Sequence, residues 1–327
     1  MTINFPANPN VSHAYTNGGT FTVTLTVTNS DGCTEDKTNQ VVIHYAPVAN
    51  FSFTSGGCAQ VGLQFTDLSQ QNGGGAIIAW SWNFGDPASG TSNTSTMQNP
   101  THAFSAGGTF NVNLMVTNIT GCIDSTTIAV TINDAPLAQY SADTACFNLP
   151  TTFTDASTTG TGTVVGWLWN FGDPASGSNN TSTLQNTTHT FTNISTYSVN
   201  LQVTNSLGCI DDTTMQITVN PKPTAMFSYS AACLGSPTQF TDLSIATGST
   251  ITSLFWDFGD GTGTSTVQNP VYTYTAAGTY DVKLIVTNLL NCSDSVIMPV
   301  LVRNNPTAAF TYINFFCPEA QVNFQDQ

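Results

Sequence analysis

Three kinds of side chain in this sequence are equipped for chemistry, and each recurs at a fixed spacing. Eight cysteines offer nucleophilic thiolates, metal ligands or disulfides; four histidines offer general bases; nineteen acidic residues offer oxygen ligands. His13, His102 and His189 hold one recurring position, but its next occupant is Tyr272. A metal ligand or general base does not survive exchange for Tyr, so a strand-edge hydrogen bond is the expected role. Asp86, Asp173 and Asp260 also recur and are the weak candidates for calcium, which needs several oxygen ligands at one point. No dense Asp-x-Asp-x-Asp run accompanies them, and a single Asp at a turn caps its own backbone. Ser and Thr are plentiful, yet no Gly-x-Ser-x-Gly elbow occurs. Lys37, Lys222, Lys283 and Arg303 are the whole basic complement, too few for an oxyanion or phosphate clamp in each copy. These residues predict no enzyme and no cofactor, with weak calcium binding kept open.

The recurrence comes from a repeat. Trp82-Asn83-Phe84-Gly85-Asp86 returns as Trp169-Asn170-Phe171-Gly172-Asp173 and as Trp256-Asp257-Phe258-Gly259-Asp260, in two steps of 87 residues. That period is too long for a solenoid unit and matches a small domain with its own core. Trp80, Trp82 and Phe84 alternate with Ala79, Ser81 and Asn83, so the stretch is a strand with one aromatic face. Trp82, Trp169 and Trp256 are therefore the expected core residues, buried between two sheets. Thr20 to Thr28 alternates strictly, with Phe21, Val23, Leu25 and Val27 on one face, and predicts a half-buried antiparallel strand. The order of elements predicts complete units at 46–133, 134–220 and 221–304 and partial units at 1–45 and 305–327. About seven short strands per unit predict an all-β chain of immunoglobulin-like sandwiches, arranged as a linear rod. No helix period appears, and Pro87 to Asn99 reads as a polar loop.

Composition narrows the function classes. Only 7% of residues are charged while 40% are hydrophobic, and the formal net charge is −15. A chain so poor in Lys and Arg cannot neutralise many phosphates, which argues against nucleic acid and anionic membranes as partners. No run reaches the 18 or so apolar residues of a membrane span. The surface rests on Thr, Ser, Asn and Gln, a β-rich exported kind of composition. The first and last residues fall in mid-repeat, so the expectation is a window of a longer chain whose export signal lies outside it.

The recurring stretches resemble PKD domains, an immunoglobulin-like family. The matching features are the Trp-(Asn/Asp)-Phe-Gly-Asp stretch, the (His/Tyr)-x-(Phe/Tyr) strand, the Gly-Thr-(Phe/Tyr)-x-Val-x-Leu-x-Val-x-Asn strand and the Pro-x-Ala-x-(Phe/Tyr) opening. Ser195 departs from the pattern in place of Gly, as does Asn291 before a cysteine. Tandem arrays with this cysteine placement resemble very large surface adhesins and filaments of bacteria that use type IX secretion. The resemblance implies an extracellular, cell-surface stalk. Its expected partners are neighbouring repeats of the same chain, other copies of itself in a filament, and an unspecified glycan or cell-surface target. The alternative is a carbohydrate-binding accessory array on a secreted hydrolase.

Cysteines at recurring extracellular positions predict disulfides. Each unit has one Cys after its first strand and one before its last: Cys58 and Cys122, Cys146 and Cys209, Cys233 and Cys292; Cys33 and Cys317 fall in the partial units. In a sandwich the first strand runs down and the sixth runs up. The two cysteines of a unit then lie at opposite ends, on the order of 25 Å apart, whereas a disulfide needs Cα atoms within about 7 Å. The preferred pairing crosses a junction, Cys58–Cys209 and Cys146–Cys292. Pairing within a unit stays open if the first strand is placed differently. Cys122 and Cys233 then turn to the flanking units, and Cys33 and Cys317 to those flanks or beyond.

Overall fold

A computed structural model describes residues 11–312 and 324–326. Strands β1 (Gly19–Thr28) and β2 (Thr34–Ile43) form an antiparallel hairpin. The first complete sandwich follows with β3 (Phe51–Phe53), β4 (Gly62–Asp67), β5 (Ile77–Asn83), β6 (Thr94–Ser95), β7 (Thr101–Ala103), β8 (Gly108–Asn118) and β9 (Ile123–Ile132). One sheet has the order β3-β4-β7 and the other β6-β5-β8-β9, all antiparallel. The same three-plus-four arrangement recurs from Tyr140–Ala142 to Ile210–Thr218 and from Phe227–Tyr229 to Ser293–Val302. The chain is thus nearly all-β, a tandem series of immunoglobulin-like sandwiches. By contact density it divides into two compact units. One holds the described chain up to Gln139 with Ser157–Trp167 and Gln202–Asp212; the other holds Tyr140–Ala156, Leu168–Leu201 and the described chain from Thr213.

Alternation places the core. Val112, Leu114 and Val116 of β8 point inward, all with no exposed surface, and face Phe51, Leu63 and Phe65 of the other sheet. Trp82 sits between the sheets with 1% of its surface exposed, its ring 5.1 Å from Phe51 and 5.6 Å from Phe65. A buried indole N–H needs an acceptor, and Trp82 Nε1 donates to the Met97 carbonyl at 2.9 Å. Trp169 and Trp256 are equally buried and donate to the carbonyls of Leu184 and Val267. The last turn of the motif explains its Gly. Gly85 has φ +71, and a Cβ there would lie 2.7 Å from the Asn111 carbonyl oxygen, so both backbone and space exclude a side chain. Asn83 Oδ1 accepts the Gly85 N–H, as Asp257 Oδ1 accepts that of Gly259. That shared acceptor is why Asn and Asp exchange here.

Two local features differ from the sequence expectation. Pro87–Asn93 and Pro174–Asn180 are 3₁₀ turns broken at Gly90 and Gly177, not featureless loop. Too short to show a helical period, they begin with Pro, whose missing N–H is no loss at a first turn. The β1 hairpin alternates as read, but Val23, Leu25 and Val27 are 38–53% exposed, because no second sheet covers that face among the described residues.

Replacing Trp82, Trp169 or Trp256 with Ala is expected to cost about 3–5 kcal/mol in the sandwich that holds it. Hydrogen exchange followed by mass spectrometry checks this. Amides of the mutated sandwich should lose protection first, and uniform loss across all three would contradict separate cores.

Candidate functional site

The cysteines mark the place where one sandwich passes into the next. Cys58 lies in a short parallel bridge with Asn133, at the end of the last strand of its own sandwich; Ala59 N donates to the Asn133 carbonyl at 2.8 Å. Cys146 and Cys233 make the same bridge with Asn220 and Arg303. These three are exit cysteines. Cys122, Cys209 and Cys292 instead close the turn before the last strand, beside the segment that enters the sandwich; we call them entry cysteines. Opposite ends follow from strand direction, since β8 alone covers 11 residues, about 35 Å of rise.

The structure joins exit to entry across two junctions. Cys58 is bonded to Cys209 and Cys146 to Cys292, each with Cα atoms 5.7 Å apart, within the range a disulfide allows. Each bond lies inside one of the two compact units. Cys33, Cys122 and Cys233 are free thiols, and Cys317 lies outside the described residues. The three intra-unit pairs weighed from sequence are not formed.

The entry turn is built by residues that the sequence reading passed over. Asn205 is fully buried and accepts the N–H groups of Leu207 and Cys209 on Oδ1, while Nδ2 donates to the Asp134 and Thr161 carbonyls. Asn118 and Asn288 do the same work toward the Tyr45 and Pro221 carbonyls. Asp124, Asp211 and Asp294, two residues beyond each entry cysteine, accept the N–H of Ala49, Ala138 and Ala225 at 2.8–2.9 Å. Lys222 adds an ion pair to Asp294 at 2.9 Å. Each entering segment is therefore tied to the last strand before the core begins. The signal was present as a fixed spacing, Asn-x-x-x-Cys-x-Asp, but each residue alone reads as turn chemistry. Asn291 stands where Gly121 and Gly208 have φ +83; its own φ is +60, a conformation Asn tolerates.

At the other end of the Trp strand lies a buried Asp–ring pair. Asp86 Oδ2 accepts the Ser105 N–H at 2.8 Å, Oδ1 accepts the Ser105 hydroxyl at 2.6 Å, and His102 Nε2 stands 3.3 Å from Oδ2. The His102 ring stacks on Phe84 at 4.2 Å. Asp173, Thr192, His189 and Phe171 repeat the arrangement. In the third sandwich Tyr272 stacks on Phe258 and donates its hydroxyl to Asp260. His and Tyr exchange because each gives a flat ring and a donor. His102 and His189 lie on edge strands of their three-stranded sheets and make the expected hydrogen bond, but they are buried there because the ring completes the core; His13 is exposed. Of the calcium candidates, Asp260 caps its own turn as expected, Oδ1 accepting the Thr262 and Gly263 N–H groups, whereas Asp86 and Asp173 accept from residues 19 positions further on. The donors around each carboxylate suit a hydrogen-bonded anion. Among the described residues no group of three or more His, Cys, Asp or Glu could hold a metal.

Burial alone would raise the Asp86 pKa, but the Ser105 and His102 hydrogen bonds outweigh it and hold the carboxyl below the usual range; Asp173 is held down likewise by Thr192 and His189. The Tyr272 hydrogen bond is the largest influence on Asp260 and brings it to about 2. Burial lowers His102, and Asp86 only partly offsets this. Both signs agree. A lowered histidine loses stability as pH falls below its unfolded value near 6.5, and lowered carboxylates lose theirs as pH falls below about 3.8. Urea denaturation followed by Trp fluorescence should show stability declining in two stages on acidification. His102→Gln should flatten the first stage in the first sandwich and leave the second.

The described residues include no helix long and apolar enough to cross a membrane. Comparison with known proteins places the chain. The PKD domain model matches residues 4–43, 44–132, 133–219 and 220–300. Collagenase ColQ1 of Bacillus cereus (strain Q1) is 30% identical over 94 residues, 29% of this chain; the chain spans 9% of the length of that relative. Among solved structures, the PKD1 domain of the Vibrio cholerae metalloprotease PrtV is 34% identical, covering 25% of this chain and 98% of that one, with a TM-score of 0.24. The PKD1 domain of Vibrio anguillarum Epp is 24% identical, covering 27% and 95%, with a TM-score of 0.23. Matched by that model over most of its length, the chain belongs to the PKD domain family.

Proposed function

We propose that this chain is a load-bearing, non-catalytic segment of an extracellular stalk on a cell surface or filament. It holds an adhesive part away from the cell, and its partners are further repeats of its own kind. The observation that carries the reading is the interleaving of the two bonds. Cys58–Cys209 and Cys146–Cys292 overlap in sequence. Between the two crosslinks three chain segments run in parallel: Cys58 to Cys146, Cys146 to Cys209, and Cys209 to Cys292. A pull applied at the ends is shared among all three, and none can extend beyond the shortest, Cys146 to Cys209. Unbonded sandwiches in series would each bear the full load. Disulfides of this kind belong to an oxidising, extracellular setting.

A second reading has one supporting observation, the similarity to a stretch of a collagenase. There the array is an accessory to a secreted hydrolase and binds an insoluble substrate. Co-sedimentation of the chain with fibrillar collagen or a polysaccharide would favour it.

Single-molecule stretching tests the load-bearing reading. Through the bonds the route from Cys58 to Cys292 falls from roughly 230 residues to roughly 60, so at about 3.5 Å per extended residue the oxidised chain should unfold to a contour about 600 Å shorter. Reductant should restore that length. Equal contours with and without reductant would remove the mechanical role of the bonds.

A further inference from the structure

Cys122 and Cys233 are free, yet each sits in the setting of a bonded counterpart. The Cys122 N–H donates to Asn118 Oδ1 at 2.9 Å, as Cys209 does to Asn205 and Cys292 to Asn288. Its Sγ lies 3.8 Å from the His44 carbonyl, as Cys292 Sγ lies 3.9 Å from that of Asn220. Cys233 forms the same parallel bridge as Cys58 and Cys146, and Leu234 N donates to the Arg303 carbonyl at 2.9 Å, as Phe147 N does to that of Asn220. Among entry cysteines the bonded Cys209 and Cys292 are 1% and 0% exposed while the free Cys122 is half-buried; among exit cysteines the bonded Cys146 is buried, and the bonded Cys58 and free Cys233 are both half-buried. What distinguishes the free from the bonded cysteines is the presence of a second sandwich against them, since the local backbone is the same.

We infer that Cys122 and Cys233 are each one half of a further junction bridge: Cys122 takes an exit cysteine, and Cys233 an entry cysteine, from another sandwich of this family. Both bonds in the molecule are unlike-to-unlike, exit to entry. The two types carry different sequence contexts. Entry cysteines follow Asn-x-x-(Gly/Asn), as in Asn118 to Cys122 and Asn288 to Cys292. Exit cysteines precede x-x-x-(Gly/Pro), as in Cys58 to Gly62 and Cys233 to Pro237. The bridge forms by thiol–disulfide exchange. One thiolate attacks a disulfide oxidant, a small molecule or an oxidoreductase, to give a mixed disulfide, and the second thiolate displaces the remaining oxidant sulfur. Two thiols lose two protons and two electrons, and the oxidant leaves as two thiols. Cys33 is of the entry type, its N–H held by Asn29 Oδ1 at 2.9 Å, and is a second candidate to receive Cys233 from another copy.

The test is peptide mapping of the protein isolated from the cells that make it. Free thiols are alkylated at lysis, and digestion is carried out without reductant. The expected result is Cys122 and Cys233 peptides alkylated only after reduction, each linked to a cysteine peptide of the opposite type. A Cys233 peptide linked to Cys33 or Cys122 identifies a second copy as the source. A linked peptide foreign to residues 1–327 but bearing the opposite context identifies another sandwich. Alkylation of Cys122 and Cys233 without reduction, links between like types, or a small-thiol adduct would each overturn the inference. Recovery of Cys58–Cys209 in the same digest would show that the loss is confined to this inference and leaves the load-bearing reading standing.

Discussion

Each sandwich holds its two cysteines at opposite ends, and the arrangement of the junctions depends on that separation. An exit cysteine is stitched to the end of the last strand, while an entry cysteine closes the turn where the chain comes in. Neither can reach the other through a core filled by Trp82, Phe65 and Leu114. Each can reach the unlike cysteine of an adjacent sandwich. A bond there spends no core volume and crosslinks residues 151 or 146 apart in sequence. Restricting so long a loop in the unfolded chain stabilises the folded one by a few kcal/mol, and the second sandwich receives that restraint at both of its ends.

The junction is more than its sulfur atoms. A buried Asn orders the turn that carries the entry cysteine, and an Asp two residues further on ties the incoming segment to the last strand. A buried amide left without partners is costly, so these contacts favour one arrangement of the entering chain. At the far end of the Trp strand the Asp–ring pair closes the core with a hydrogen-bonded anion, using His in two copies and Tyr in the third. Both sets of polar contacts serve position, and at Asp86 and Asp173 they also keep a charge out of solvent.

The fold was legible because repetition removes ambiguity. One aromatic strand fits many folds, but Trp82, Trp169 and Trp256 at equal steps require a domain-sized unit with a core of its own. Strand direction, and with it the placing of the cysteines at opposite ends, follows from the order of elements inside that unit. The finer parts were not legible for physical reasons. Asn205 and Asp211 belong to residue types that any turn employs, and only their partners across the chain give them a role. Burial of His102 depends on a ring stack with Phe84 eighteen residues earlier, which no local pattern encodes. The 3₁₀ turns after Pro87 and Pro174 are too short for periodicity to register. Exposure of the β1 face depends on what lies opposite, which alternation alone does not specify.

The central claim is that covalent bonds cross from one sandwich to the next. Non-reducing digestion of the purified chain, with free thiols blocked beforehand, tests it most directly. The account predicts one linked peptide pair joining Cys58 to Cys209 and another joining Cys146 to Cys292. A pair joining Cys58 to Cys122, or Cys146 to Cys209, would place the bonds within single sandwiches and contradict it.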